Sequence, residues 1–235
     1  MDTEKRGAAT DVIYDMDGVL LDTEPFYTKV AAMIAGRFGK VFDGLLKARM
    51  IGKRAPDSAA IFVEALGLPI TSDDFLRMRK SLLEELLPQA EPMPGAVRLT
   101  RHLCDCGIPQ AVATSSDRRH FELKTRRHKA WFETFQCVVI GDDPALKRGK
   151  PAPDIFLLAA RCLGADPAAC LVFEDAPAGV EAARSAGMRV IALPDRNVDL
   201  SQYSGADQIL SSLAAFHPPD WGLPPFGPPD GANRR

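Results

Sequence analysis

The segment 12–23, VIYDMDGVLLDT, constrains this chain more than any other stretch. A short apolar run ends in two carboxylates, Asp15 and Asp17, and Gly18 follows at once. A period of two places both acids on one side of a strand end. Gly18 lets the backbone turn away there, with amides free for an anion. Two crowded carboxylates repel, so a cation or a shared proton must stabilise them. The pairing suits phosphate chemistry, in which one acid attacks, the other moves a proton and a metal screens the charge.

Behind this strand the hydrophobic period changes. Phe26, Val30, Ile34 and Phe38 recur at helical spacing, with Pro25 in the first turn. Further helices are predicted over 56–66, stopped by Gly67, and over 72–87, capped by Thr71 with Asp74 and ended by Pro88. Residues 23–90 thus read as a helical insertion. From 96 onward helix and strand alternate. Strands are predicted over 109–114, 136–140, 170–173 and 189–193, with a short last one at 208–210; helices are predicted over 96–106, 117–130, 153–163 and 179–186. This order predicts an α/β fold, a Rossmann-like, doubly wound, mainly parallel sheet with helices on both faces. The expected division is a core of 11–22 and 91–216, a helical cap of 23–90, a mobile tail at 1–10 and a Pro- and Gly-rich tail at 217–235 that wraps the surface or is loose.

In such sheets ligands sit outside the carboxyl ends of the strands, and four strand ends carry candidates. They are Asp15 and Asp17; Thr114, Ser115 and Ser116; Lys150 in the loop RGKPAPD; and Glu174 with Asp175. Singly, each has a bland reading. A lone Asp-x-Asp is a solvated turn, Thr-Ser-Ser is a helix start capped by Ser116 or Asp117, Lys150 is a surface charge, and Glu-Asp complements a helix dipole. Together, at successive strand ends, they describe a phosphate and metal site. His120, Lys124, Arg126 and Arg127 read mostly as a solvated helix face, and Asp142 with Asp143 as a turn.

Composition excludes several partners. A net charge of -2 gives no ground for nucleic acid. No apolar run approaches a membrane span, and MDTEKRGAAT lacks the apolar centre of a secretory signal. Five cysteines, with Cys104 and Cys106 one residue apart, match neither a disulfide framework nor a zinc pattern. Free thiols in a reducing cytoplasm are the expectation. A monomer is the default.

The set DMDGVLLDT, ATSS, GKPAPDIF and LVFEDAPAGVEAA resembles the haloacid dehalogenase-like superfamily of phosphohydrolases over nearly the whole chain, with residues 23–90 similar to its small helical cap. Within it, HFELKTRRHKAWF, GDDPALKRGKPAPD and ADQILSSLAAFHPPDWGLPPF resemble the pseudouridine-5′-phosphatase and plant glycerol-3-phosphate phosphatase subfamilies. The resemblance implies that Asp15 attacks phosphorus to form an aspartyl-phosphate and that Asp17 protonates the leaving alcohol, then deprotonates water. The acid role calls for a raised Asp17 pKa. It further implies that Thr114 and the Ser115 amide, with Gly18 and Ser116, hold the phosphoryl group, and that Lys150 neutralises charge. Mg²⁺ would be held by Asp15, the Asp17 backbone carbonyl, Asp175 and Glu174. Lys53 and Arg54 are cap candidates for gripping a small phosphorylated metabolite.

The expected activity is hydrolysis of a small phosphomonoester, of glycerol 3-phosphate or pseudouridine 5′-phosphate type. The rivals are a sugar phosphomutase of the β-phosphoglucomutase kind, a non-catalytic binding protein and a haloacid dehalogenase. The related mutases carry a cap-entry His where Tyr27 stands here. The acid at Asp17 fits ester hydrolysis or mutase chemistry and fits a dehalogenase poorly.

Overall fold

A computed structural model of the chain describes residues 7–50, 55–195 and 198–227. Its centre is β1 (Asp11–Tyr14), whose four residues are all buried. Being covered on both faces, the strand is a continuous apolar run rather than an alternating one. A two-residue strand, β2 (Leu21–Asp22), leads into four helices: α1 (Glu24–Arg37), α2 (Gly44–Met50), α3 (Ala55–Leu66) and α4 (Ser72–Leu86). The chain returns through β3 (Glu91–Pro92), antiparallel to β2, so two adjacent strands carry the connection out to the helices and back. Neither β2, β3 nor α2 was legible as an element; the strands are too short to show a period.

The remaining elements are α5 (Ala96–Asp105), β4 (Gln110–Ala113), α6 (Arg118–Thr125), α7 (Lys129–Phe132), β5 (Cys137–Val139), α8 (Asp154–Leu163), β6 (Cys170–Glu174), α9 (Pro177–Ser185), β7 (Arg189–Ala192) and β8 (Gln208–Ile209). The sheet order is β5-β4-β1-β6-β7-β8, and every neighbouring pair is parallel. The α/β expectation therefore holds. Alternate residues of each strand serve opposite faces. Val12, Tyr14, Leu171 and Phe173 pack with Leu99 and Leu103 of α5 and with Trp131. Ile13, Val172 and Val190 pack with α8 and α9 through Phe156, Ala159 and Ala183. A third cluster lies within α1–α4, built from Val30, Ile34, Phe62, Phe75 and Leu83. Among the described residues no helix is long and apolar enough to cross a membrane.

Three expectations are corrected. The helix expected over 117–130 is two, because Asp117 caps α6 through the His120 amide (2.8 Å) and the chain turns at 126–128 before α7. Of the two readings of the C-terminal tail, wrapping holds for 217–226: Leu223 is buried, the Ala9 amide donates to the Trp221 carbonyl (2.8 Å), and His102 Nε2 meets the Pro224 carbonyl (3.0 Å). The same contact anchors Ala9, so the N-terminal tail is held from there; residues 1–6 and 228–235 lie outside the described residues. Finally, Cys137 and Cys162 are disulfide-bonded, with Cys104, Cys106 and Cys170 free. The pair is 25 residues apart in sequence, and only the packing of α8 on β5 brings it within bridging range at a Cα separation of 6.2 Å. The thiol argument for a reducing compartment goes with it.

Helix α4 starts with the reciprocal cap expected from its sequence. Thr71 Oγ1 accepts from the Asp74 amide (3.1 Å) and the Asp74 carboxylate accepts from the Thr71 amide (3.0 Å). Thr71→Ala is expected to destabilise the helical unit by about 1 kcal/mol, read as a lower urea midpoint at unchanged slope; an unchanged midpoint would show that packing alone fixes this helix end.

Candidate active site

The carboxyl ends of β1 and β6 lie side by side because Tyr14 pairs with Phe173 in register. The next residue on β1 is Asp15, whose amide donates to the Phe173 carbonyl (2.9 Å). Glu174 and Asp175 stand at the end of β6, so one carboxylate oxygen from each of Asp15, Glu174 and Asp175 lies within 4.8 Å of the others. Lys150 reaches into this group from the loop before α8. Its Nζ donates to Asp15 Oδ1 (2.5 Å) and to the Ala113 carbonyl (3.3 Å), and lies 3.4 Å from Glu174 Oε1. Asp15, Glu174 and Lys150 are nearly inaccessible to solvent. Residues separated by 135 positions in the chain thus share one pocket, as strand-end logic requires.

The electrostatics show an excess of negative charge. Burial first, and then the charge of Asp15, push the Glu174 carboxyl up to about 8. Burial and the neighbouring Glu174 and Asp15 push Asp175 well up from the usual carboxylate range. Asp15 is raised as well, by burial and by Asp17, although Lys150 opposes this. Burial disfavours the Lys150 ammonium, but Asp15 and Glu174 outweigh it and hold its pKa above the ordinary value. One cation cannot balance three carboxylates. The donors are all oxygen, which is the chemistry of a hard divalent ion such as magnesium, so the residues present fit that group.

Asp17 belongs to a second, adjoining constellation. Its Oδ1 accepts from Lys124 Nζ (2.6 Å) and Thr23 Oγ1 (2.6 Å), and its Oδ2 from Ser116 Oγ (3.1 Å). Lys124 also donates to Ser116 Oγ (2.7 Å) and is only 1% exposed. It is therefore no solvated surface charge but the buried partner of Asp17. It is buried next to Thr125 and one turn from half-buried His120 and Phe121, a setting that only the docking of α6 creates. A long aliphatic stem permits such burial. Burial alone would raise the Asp17 pKa, but the Lys124 ammonium and the hydrogen bonds from Lys124, Thr23 and Ser116 hold it below the usual range. The raised Asp17 pKa expected from the sequence is corrected for this arrangement.

Other residues fall as follows. Thr114 is buried at the end of β4, its Oγ1 accepting from the Ser116 amide (3.1 Å); Ser115 is exposed beside it. The Gly18 amide is not free for an anion, since it donates to the Leu21 carbonyl (2.9 Å). What Gly18 supplies is room: at φ +78° a Cβ would strike the Asp175 carboxylate. Gly179 likewise leaves the space taken by the Glu174 side chain. Lys53 and Arg54 lie outside the described residues. A cavity of about 770 Å³ opens over Asp17 and Asp175 and runs between the sheet ends and α1–α4.

With a chelator present, the raised Asp15, Glu174 and Asp175 make the folded state bind more protons than the unfolded one. Stability is then expected to fall as pH rises from the ordinary carboxylate range to about 8, where Glu174 titrates. Mg²⁺ is expected to raise Tm most at the alkaline end, and Glu174→Gln to flatten the chelated profile. A chelated Tm independent of pH across this window would contradict the charge excess.

A model of the haloacid dehalogenase-like hydrolases matches residues 12–187. The chain is 52% identical over 229 residues to (DL)-glycerol-3-phosphatase 2 of Arabidopsis thaliana, covering 95% of each. It is 43% identical over 220 residues to a probable pseudouridine-5'-phosphatase of Drosophila melanogaster, covering 92% of this chain and 95% of that one. Among solved structures, a putative beta-phosphoglucomutase from Thermotoga maritima superimposes with a TM-score of 0.72 at 30% identity, over 87% of this chain and 94% of the other. The chain belongs to the haloacid dehalogenase-like hydrolases.

Proposed function

We propose that this family member is a magnesium-dependent phosphatase that hydrolyses a small phosphomonoester through an aspartyl-phosphate on Asp15. The observation that carries the reading is Lys150 bonded to Asp15 amid Glu174 and Asp175 at the ends of the two central strands. The names of the relatives support the substrate class, and the higher identity to the glycerol-3-phosphatase puts glycerol 3-phosphate ahead of pseudouridine 5′-phosphate.

Asp15 is the nucleophile. Its carboxylate oxygen bonds to phosphorus as the ester oxygen departs, and Lys150 stabilises both the carboxylate and an oxygen of the phosphoryl group. The Thr114 hydroxyl and the Ser115 amide hold further phosphoryl oxygens, with Ser116 and the Gly18 turn shaping that end of the site. Asp17 gives its proton to the departing alkoxide. A water then attacks phosphorus, Asp17 takes a proton from it, and the Asp15–phosphorus bond breaks. The arrangement described above holds Asp17 as a carboxylate, the form needed in this second step. A substrate dianion beside it raises its proton affinity for the first. When bound, magnesium supplies charge screening between Asp15 and the phosphate and fixes their relation. Asp15, the Asp17 backbone carbonyl, Asp175 and Glu174 would hold it.

The domain division expected from the sequence serves this reading. The core of 11–22 and 91–216 carries the reaction, and the cap of 23–90 excludes water and selects the alcohol, with Lys53 and Arg54 as candidates for gripping the substrate. The mutase alternative has a structural relative in its favour. Tyr27 argues against it, since its phenol lies beside Lys124 and carries no imidazole for a cap-entry proton transfer.

The test is phosphate release from glycerol 3-phosphate, pseudouridine 5′-phosphate and a hexose 1-phosphate, with and without Mg²⁺. Glycerol 3-phosphate is expected to give the highest kcat/KM, chelation to abolish it, and Asp15→Asn to lower kcat by on the order of 10³-fold or more with the fold intact. Turnover by Asp15→Asn at the wild-type rate would remove Asp15 from its role. Isomerisation of the hexose phosphate with a bisphosphate primer, without net phosphate release, would make the protein a mutase.

A further inference from the structure

The cavity over Asp17 is too large to be explained by a phosphoryl group alone. Asp17 and Asp175 line it at the sheet end; its far wall is α1–α4 and the loop before α2, with Phe42, Phe75, Tyr27 and Arg79 among the lining side chains. Among the described residues two cations line it. Lys47 is paired with Glu24 at 2.9 Å, and both residues line the wall, so that charge is spent. Arg79 is different. It is half-buried on α4, its guanidinium carbon 5.8 Å from the centre of the Phe75 ring. Among the described residues no carboxylate pairs with it. Burial disfavours its charged form, and the one titratable group that offsets this is the Tyr27 phenol. A guanidinium offers five donors in a fixed fork and accepts nothing. Left partly desolvated in a cavity wall without an acceptor, it is costly unless something entering the cavity supplies oxygen atoms.

Position decides which part of a substrate that is. Asp17 holds the leaving oxygen in the reading above, on which this inference rests. Lys124 is bonded to Asp17, and the Tyr27 ring centre lies 6.0 Å from Lys124 Nζ. Tyr27 in turn feels the charges of both Lys124 and Arg79. Arg79 and Tyr27 line the same cavity as Asp17, with Arg79 on α4 of the helical wall and Asp17 at the sheet end. We propose that Arg79 is the specificity-determining residue of the cap, donating from its guanidinium to hydroxyl or carbonyl oxygens on the alcohol part of the substrate, remote from phosphorus. The Phe75 ring lies within cation–π range of the guanidinium, and the capping box at Thr71 and Asp74 fixes the start of the helix that presents it. An alkyl phosphate without such oxygens leaves the fork unpaired and forfeits the interaction.

The experiment compares kcat/KM for glycerol 3-phosphate and for 1-propyl phosphate, which has the same carbon chain without the two free hydroxyls. The enzymes are wild type, Arg79→Met and Arg79→Lys, each loaded with Mg²⁺ and checked for its thermal transition. Wild type is expected to prefer glycerol 3-phosphate. Arg79→Met is expected to lower the ratio of the two kcat/KM values by about tenfold or more, largely through KM for glycerol 3-phosphate, and Arg79→Lys to lower it less. A general loss of packing would lower both rates together and leave the ratio in place. Wild type with no preference, or both variants retaining the wild-type ratio, overturns the inference while the phosphatase reading stands. Wild type inert toward both esters, and toward pseudouridine 5′-phosphate assayed beside them, overturns that reading and this inference with it.

Discussion

Three carboxylates held around one largely buried lysine are the constraint on which the rest of the structure depends. Asp15, Glu174 and Asp175 would not stay together in an unsupported loop, because desolvation and mutual repulsion both oppose their ionisation. What forces them together is the pairing of β1 with β6 in the middle of a six-stranded parallel sheet, whose buried residues on both faces leave the strands no freedom to slip. The glycines fit the same account. Gly18 and Gly179 stand where a methyl group would collide with Asp175 or Glu174, so the acids have their space by omission of a side chain elsewhere.

A second lysine divides the labour between the two acids of the first motif. Lys150 serves Asp15 and Lys124 serves Asp17, at 2.5 and 2.6 Å. Each aspartate therefore has its own hydrogen-bonded cation. Two neighbouring carboxylates with separate environments suit the proposed roles, one attacking and the other moving protons. The Asp17 constellation also joins the sheet to the helical unit, since Thr23 stands immediately before α1 and Tyr27 lies on it. A movement of that helix relative to the sheet would change the hydrogen bonds of Asp17 directly.

The parallel sheet and the Asp15, Asp17, Thr114, Lys150, Glu174 and Asp175 set were legible because apolar strands that end in chemistry-bearing residues repeat a local pattern. Features fixed by tertiary contact were not. Lys124 reads as one more charge in a basic helix until α6 is docked, and only then is its stem enclosed. Cys137 and Cys162 have no telling spacing; the packing of α8 on β5 makes the bond. The helix break before α7 depends on the turn at 126–128, where Arg and His give no punctuation of the kind that Gly or Pro gives. The Asp17 pKa was misjudged for the same reason as Lys124, because the cation that lowers it was assigned to solvent.

The central claim is a covalent bond between Asp15 and phosphorus, and the direct measurement is to find that bond. An aryl phosphate such as p-nitrophenyl phosphate releases a phenolate that needs no proton, so Asp17→Asn should pass through the first half of the reaction and stall before the second. Acid-quenched Asp17→Asn protein with Mg²⁺ is predicted to carry one phosphoryl group, located by peptide mass spectrometry on Asp15 and absent when Asp15 is also changed to Asn. A phosphoryl group on Ser115 or Ser116 instead, or phosphate release at the wild-type rate with no label on the protein, would contradict the account.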